Sequence, residues 1–413
     1  MHRAKKRIAW AVVALSTLAI LVATLRSQGG ALPPGWSFSI TSGDAALAEL
    51  IQNLLLFLPL GVSLTLAGVR PRRAIALGAL LSFAVEFAQQ WIPGRDPSTG
   101  DILCNSISTA LGVALVRFAP RWLTTTPRRS AWQALATAVV AVLAWIGTGA
   151  VLRQSFPPPP YHAVSAPAFD YWAQYEGAVL WSNFALGPLS VRAVAPAHPP
   201  DRESPLVAVL DARAVEVFIL SMDGHDLALR YRMPAIHWKL ETPDLRWRGA
   251  FAAIAPGDTF TAVATYHGKQ ICLWLNDAKR CGFGYTIGDG WKLIFYPGRW
   301  PGGVLTAINV LWVVGCVVGV GFWAASGGGG RREAAMARTA VGIVLAGLVF
   351  VPYVMGMNGT SLFEWIGALG GIEAGLVMGN RFRRRFTDAE LSDTRSRSTA
   401  ARTAPPSRPG QTS

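Results

Sequence analysis

Seven side chains in one otherwise apolar stretch could do chemistry: Asn53, Ser82, Glu86, Gln89, Arg95, Asp101 and Asn105. A pair of carboxylates can divide acid and base roles when their surroundings differ. An arginine beside them can clamp an anion such as phosphate, and the amides with them complete a polar pocket or cap helix ends. Ser82, Glu86 and Gln89 fall at i, i+4 and i+7, on one helix face. Asp101, Asn105 and Ser108 repeat that spacing, with Gly112 beyond, and Arg95 sits in the short hinge Pro93–Gly100. No nucleophile motif lies beside them, so an enzyme here would use Glu86 or Asp101 as general acid or base.

The elements that must position these groups are membrane helices. Of 413 residues, 51% are hydrophobic and only 15% charged, against about 25% charged in soluble domains. Segments long enough to span are Ile8–Leu25, Leu50–Gly68, Ala74–Ile92, Ile102–Phe118, Ala131–Leu152, Val304–Ala325, Thr339–Met355 and Leu362–Met378. That predicts eight spans. The first reads as a retained anchor, because no A-x-A cleavage site follows it.

The net charge of +14 sits in short clusters between apolar runs rather than as a basic face, which excludes a nucleic-acid binder. Strict alternation puts Arg3/Lys5/Lys6/Arg7, Arg70/Arg72/Arg73, Arg117/Arg121/Arg128/Arg129, Arg331/Arg332/Arg338 and Arg381/Arg383/Arg384/Arg385 on one side. By the positive-inside rule that side is cytoplasmic, as are both termini. Asn53, Glu86, Gln89, Asp101 and Asn105 then share one depth beneath the outer leaflet, with Arg95 placed to partner Glu86 or Asp101. Ionisable groups at that depth are costly and call for a function. The alternative is that they only tie helices together.

The segment from Arg153 to Gly303 is then outside, and its character changes. Pro157–Pro160 reads as a stiff spacer holding a domain off the membrane. Alternating runs follow at Leu206–Leu210, Ala214–Leu220, Leu227–Arg232, Phe260–Tyr266, Gln270–Leu275 and Lys292–Tyr296. Turns are expected at Met222–Gly224, Pro256–Asp258, His267–Gly268 and Asn276–Asp277. This pattern predicts an antiparallel sandwich. Cys272 and Cys281 flank the Asn276–Asp277 turn and can face each other across a hairpin. Outside the cytoplasm they can form a disulfide, with two buried thiols as the alternative. Cys104 and Cys316 read as packing residues. No CxxC or HExxH spacing points to zinc.

Asn53-x3-Phe57-x-Pro59-x-Gly61, Ser82-x3-Glu86-x2-Gln89, Arg95, Asp101-x3-Asn105 and Gly112, in that order, closely resemble the VanZ-like membrane family over the first third of the chain. The resemblance implies an integral membrane protein associated with glycopeptide (teicoplanin-type) resistance. It assigns Glu86, Gln89, Arg95, Asp101 and Asn105 to characteristic positions without chemical roles. Ser108 departs from the family's glycine, which implies looser helix packing there. Phe260–Asp277 is similar to the central hairpin of laminin-G or concanavalin A-like jelly-roll sandwiches, which often bind carbohydrate. Trp238, Trp247 and Trp291 are candidates to stack on sugars. Asp211, Asp223, Asp226 and Asp277 form no recognisable calcium loop, so no cofactor is called for and calcium in the β domain stays an alternative without a supporting motif.

The reading is a bundle of five helices over residues 1–152, an extracytoplasmic β-sandwich over 153–302, three helices over 303–380 and a disordered basic tail over 381–413. It would sit in the cytoplasmic (inner) membrane. Its expected partners are the bilayer and an envelope glycan or glycolipid. An intramembrane enzyme acting on an anionic lipid-linked substrate, and an anchored glycan-binding sensor or adhesion module, are the alternatives. Ser361–Gly371 echoes Asp101–Gly112, an acid followed by glycines, but no Asn-x3-Phe-x-Pro partner precedes it.

Overall fold

The computed structural model describes residues 2–27, 32–33, 35–38, 45–123, 126–169, 172–184, 188–267 and 270–403. The helices are α1 (His2–Thr24), α2 (Ala46–Leu66), α3 (Pro71–Gln89), α4 (Thr99–Leu123), α5 (Pro127–Leu152), α6 (Gly302–Ser326), α7 (Arg331–Met355) and α8 (Leu362–Thr403). Seven of them are long and apolar enough to cross a membrane, where eight were expected. The exception is α3, which carries Arg72, Arg73 and Glu86 within 19 residues. The chain is a multi-pass membrane protein.

Local signals set the α2–α3 turn. Gly68 adopts φ +89° past the end of α2, a conformation that closes a helix at little cost only for glycine. Pro71 then opens α3, where its missing N–H is not needed. The last helix continues to Thr403, through the first part of the stretch expected to be disordered. Residues 404–413 lie outside the described residues.

Between α5 and α6 the described residues form ten strands: β1 (Tyr161–Ser165), β2 (Val179–Phe184), β3 (Leu189–Val194), β4 (Ser204–Asp211), β5 (Glu216–Asp223), β6 (Asp226–Tyr231), β7 (Leu245–Trp247), β8 (Thr259–His267), β9 (Gln270–Leu275) and β10 (Ala278–Phe283). They form two antiparallel five-stranded sheets, ordered β1-β4-β5-β6-β7 and β10-β9-β8-β3-β2. Leu206, Leu220 and Leu229 from the first sheet meet Val191, Phe260 and Leu273 from the second in one core. Val151 and Leu152 of α5 join that core, and the Tyr231 hydroxyl donates to the Leu152 carbonyl (3.1 Å). The sandwich therefore seats directly on the end of α5. Pro157–Pro160 does not separate the two: the end of α5, ahead of the prolines, already lies in the sandwich core.

The strand expected at Lys292–Tyr296 is instead the end of a 3-10 turn, Ile287–Leu293. Thr286 and Asp289 cap it reciprocally, a local arrangement that competes with an extended strand. It buries Trp291, which removes that residue as a sugar platform, whereas Trp238 is exposed. Cys272 and Cys281 are register partners on β9 and β10 and are joined by a disulfide. The expected turn at Gly268 lies outside the described residues.

Helix packing repeats an atomic pattern. α2 crosses α4 where a methyl on Gly61 would overlap the Thr109 carbonyl, its carbon only 2.9 Å away, and one on Gly112 would lie 3.0 Å from the Gly61 Cα and overlap the Leu58 carbonyl. α6 crosses α8 in the same way. A methyl on Gly321 would overlap the Ile372 carbonyl, its carbon again 2.9 Å away. One on Gly375 would lie 3.0 Å from the Gly321 Cα and overlap the Val318 carbonyl. Every partner keeps its offset: three residues before each glycine, on both helices of both pairs. In this register Ser98 and Asp101 correspond to Ser361 and Glu364, which shifts the echo seen in the sequence by three residues. Gly367, Gly371 and Gly375 face α6 closely, whereas a methyl on Gly370 would meet nothing within 4 Å.

Candidate functional site

The candidate site starts at the N-terminus of α4. Ser98 caps that helix, its hydroxyl oxygen accepting from the Asp101 backbone N–H (3.0 Å) while donating to Asp101 Oδ2 (2.9 Å). Its backbone N–H donates to Glu86 Oε2 on α3 (2.9 Å). Asn53 Nδ2 on α2 donates to the other Asp101 oxygen (2.5 Å). Ser98, absent from the sequence candidates, is the hub that brings Glu86 and Asp101 to one place. Its only sequence signal was the Ser-x-x-Asp spacing ahead of a helix.

One turn further along α4, Asn105 Nδ2 donates to Ser82 Oγ (2.9 Å), and both residues are buried. Asn105 Oδ1 is buried and accepts no hydrogen bond among the described residues, although a carboxamide oxygen in such a place ordinarily has a donor. Ser108 is buried and donates to the Leu54 carbonyl (2.5 Å). The helices are therefore not looser where Ser108 replaces glycine: its hydroxyl bonds across the crossing.

The remaining two candidates go elsewhere. Arg95 Nη2 and Nε donate to the Ala23 and Arg26 carbonyls (2.7 and 3.1 Å), and Gln89 Nε2 donates to the Thr24 carbonyl (3.0 Å). The Ala23 and Thr24 oxygens belong to the C-terminal end of α1, whose last carbonyls lack helical partners and carry partial negative charge, and Arg26 follows just past it. Among the described residues Arg95 makes no close ion pair with Glu86 or Asp101, although its charge acts on Glu86; the loop carries the guanidinium to carbonyls at and just past the end of α1.

The sandwich reaches the same helix turn. The Lys239 carbonyl accepts from the Leu47 and Ala48 backbone N–H groups (2.9 and 3.2 Å), satisfying donors at the start of α2. Gln52 Nε2 donates to the Ile294 carbonyl (2.5 Å), so adjacent residues of α2 bind the sandwich and the Asp101 cluster.

Within the sandwich the sequence reading missed a charged network. Arg246 pairs with Asp244 (2.7 Å) and Asp223. The Tyr296 hydroxyl donates to Asp244 Oδ2 (2.8 Å), and Arg230 pairs with Glu203 (3.1 Å). Burial works against the Arg246 charge, but Asp244 beside it holds the group more firmly protonated than usual. Burial, aided by Asp244, pushes the Tyr296 hydroxyl well above its ordinary value. Asp223 and Asp226 are engaged by Arg299 and Arg248, and Asp211 Oδ1 accepts from Arg213 and Val215 N–H.

A polytopic bundle with a polar, three-helix junction near one end of α2, α3 and α4 is the class this geometry defines. Residues 8–120 match the family model described as VanZ/LLP1, and the N-terminal helical region is VanZ-like. Neither a curated protein nor a solved structure matches the chain.

Proposed function

We propose that the Asn53–Glu86–Asp101–Asn105 cluster engages a polar group of the cell envelope, a glycan or a lipid head group, at the outer face of the cytoplasmic membrane, and that this alters susceptibility to glycopeptide antibiotics. In this reading the sandwich is extracytoplasmic and both termini are cytoplasmic, as the basic clusters favour.

The observation that carries it is the second crossing. In the register set by Gly61/Gly321 and Gly112/Gly375, Val313 and Ala368 stand where α2 and α4 have Asn53 and Asn105, and both are fully buried. The same close crossing is thus made without the two amides, so packing alone does not call for them. Asn105 Oδ1, buried beside this cluster, is left without a donor among the described residues, which packing alone would not select. The acids differ in a related way. Glu364 caps its own helix, accepting from the Ser361 N–H (2.7 Å). In the first crossing Glu86 takes the equivalent N–H of Ser98, leaving Asp101 to face Asn53.

The test is glycopeptide and lipoglycopeptide susceptibility in a sensitive host, comparing the wild type with Glu86→Gln and Asp101→Asn at matched membrane levels. The wild type is expected to shift susceptibility and both variants to return it to the empty-vector value. A shift that survives both substitutions would reduce the cluster to a tie between helices.

A further inference from the structure

A second site lies at the end of the sandwich from which α6 departs. Arg246, Arg248, Arg280 and Lys292 line a cavity of about 280 Å³ that also includes Leu305 in the first turn of α6. The acids that pair with three of these cations stand behind them. Asp289 holds Lys292 (2.7 Å), Asp244 and Asp223 hold Arg246, and Asp226 lies 3.7 Å from Arg248. Of these acids only Asp244 reaches the cavity wall. Buried carboxylates of this kind fix the direction of a cationic head, as supporting groups do in other anion and metal sites.

Arg280 supplies the unmatched charge. It is exposed on β10, its guanidinium lies 5.9 Å from the Phe283 ring centroid, and it makes no ion pair among the described residues. The Cys272–Cys281 disulfide fastens the next residue to β9, so the strand presenting Arg280 is held in register. Phe295 and Trp300 are exposed just before α6 begins, and Trp300 stacks on Trp291 (5.9 Å). Exposed aromatics where a spanning helix starts mark the level of lipid head groups.

We infer that this cavity binds a phosphate-bearing anion, supplied as the head group of an anionic lipid in the leaflet where α6 enters. A compact cavity lined by three guanidinium groups and one ammonium at that level suits a phosphate diester, with the acyl chains left in the bilayer. The site is separate from the Glu86–Asp101 cluster and does not rest on the reading given to it.

The test uses the full-length protein in detergent with equal amounts of phosphatidylglycerol and phosphatidylcholine, counting retained lipids by native mass spectrometry. A parallel thermal-shift titration uses inorganic phosphate alone. The wild type is expected to retain phosphatidylglycerol selectively, and Arg280→Gln to weaken that retention roughly tenfold, the loss of one charge-assisted pair. Arg280→Lys should restore part of it. Arg192→Gln, an exposed arginine on β3, three strands away in the same sheet, controls for bulk charge. Stabilisation by phosphate with no lipid selectivity would overturn the lipid source. Equal retention by the wild type and Arg280→Gln would overturn the site.

Discussion

Ser98 does three things with two atoms: its hydroxyl caps α4 and bonds the Asp101 carboxylate, and its N–H holds Glu86. Ser98→Ala keeps the N–H and removes the rest, and is expected to cost about 1 kcal/mol, read as a lower unfolding temperature in detergent. Its functional cost should resemble that of Asp101→Asn. Asp211 carries a pH prediction in the sandwich. N–H groups of Val215 and Arg213 hold its carboxyl below the usual carboxylate range. The native state then binds fewer protons than the unfolded chain, so this stabilisation is complete above the ordinary carboxylate value and is lost as pH falls through the lowered one. Asp211→Asn should flatten that part of the acid limb in a series of thermal melts. The polar cluster was legible in the sequence because acids and amides are expensive among apolar residues. The partner of Arg95 was not, because a backbone carbonyl carries no residue-type signature and only the path of the Pro93–Gly100 loop selects it.

At the scale of elements, the helix crossings rest on glycine. Gly112→Ala would press a methyl onto the Leu58 carbonyl and is expected to cost about 1–3 kcal/mol by overpacking. Gly370→Ala, with nothing within 4 Å, should leave thermal stability in detergent almost unchanged. In the sandwich, Cys272→Ser with Cys281→Ser opens a cross-link of sequence separation 9 and should cost about 2–3 kcal/mol in urea unfolding. Strands with clean alternation, β8 and β9 above all, were legible. β1, β2, β3 and β7 were not, and β10 was legible only as the far arm of the Cys272–Cys281 hairpin: β7 is three residues long, and β10 is an exposed edge strand rich in charge. They are strands because neighbours offer them ladders, which is tertiary information.

For the whole molecule, the parity of spans decides which side each terminus occupies. α3 falls short on charge, yet its packing against α4 runs from Gly78, facing Thr109, through Ser82 to Glu86. α7, which also follows a glycine-crossing helix and opens on paired arginines, is apolar enough to span. α3 is therefore expected to cross with its neighbours. Reporter fusions after Arg332 and Arg384 should read cytoplasmic, and one within β2–β3 extracytoplasmic. Opposite sides for the N-terminus and the loop before α7 would place α3 outside the bilayer.

The sandwich enters from α5 and leaves into α6, so it has no free end. One proteolytic cut anywhere between them leaves both products attached to apolar helices, and the two sheets still share a core. Shedding this domain from a membrane takes two cuts, one on each flank. A nicked molecule would still run as two bands in the membrane fraction rather than release a soluble fragment.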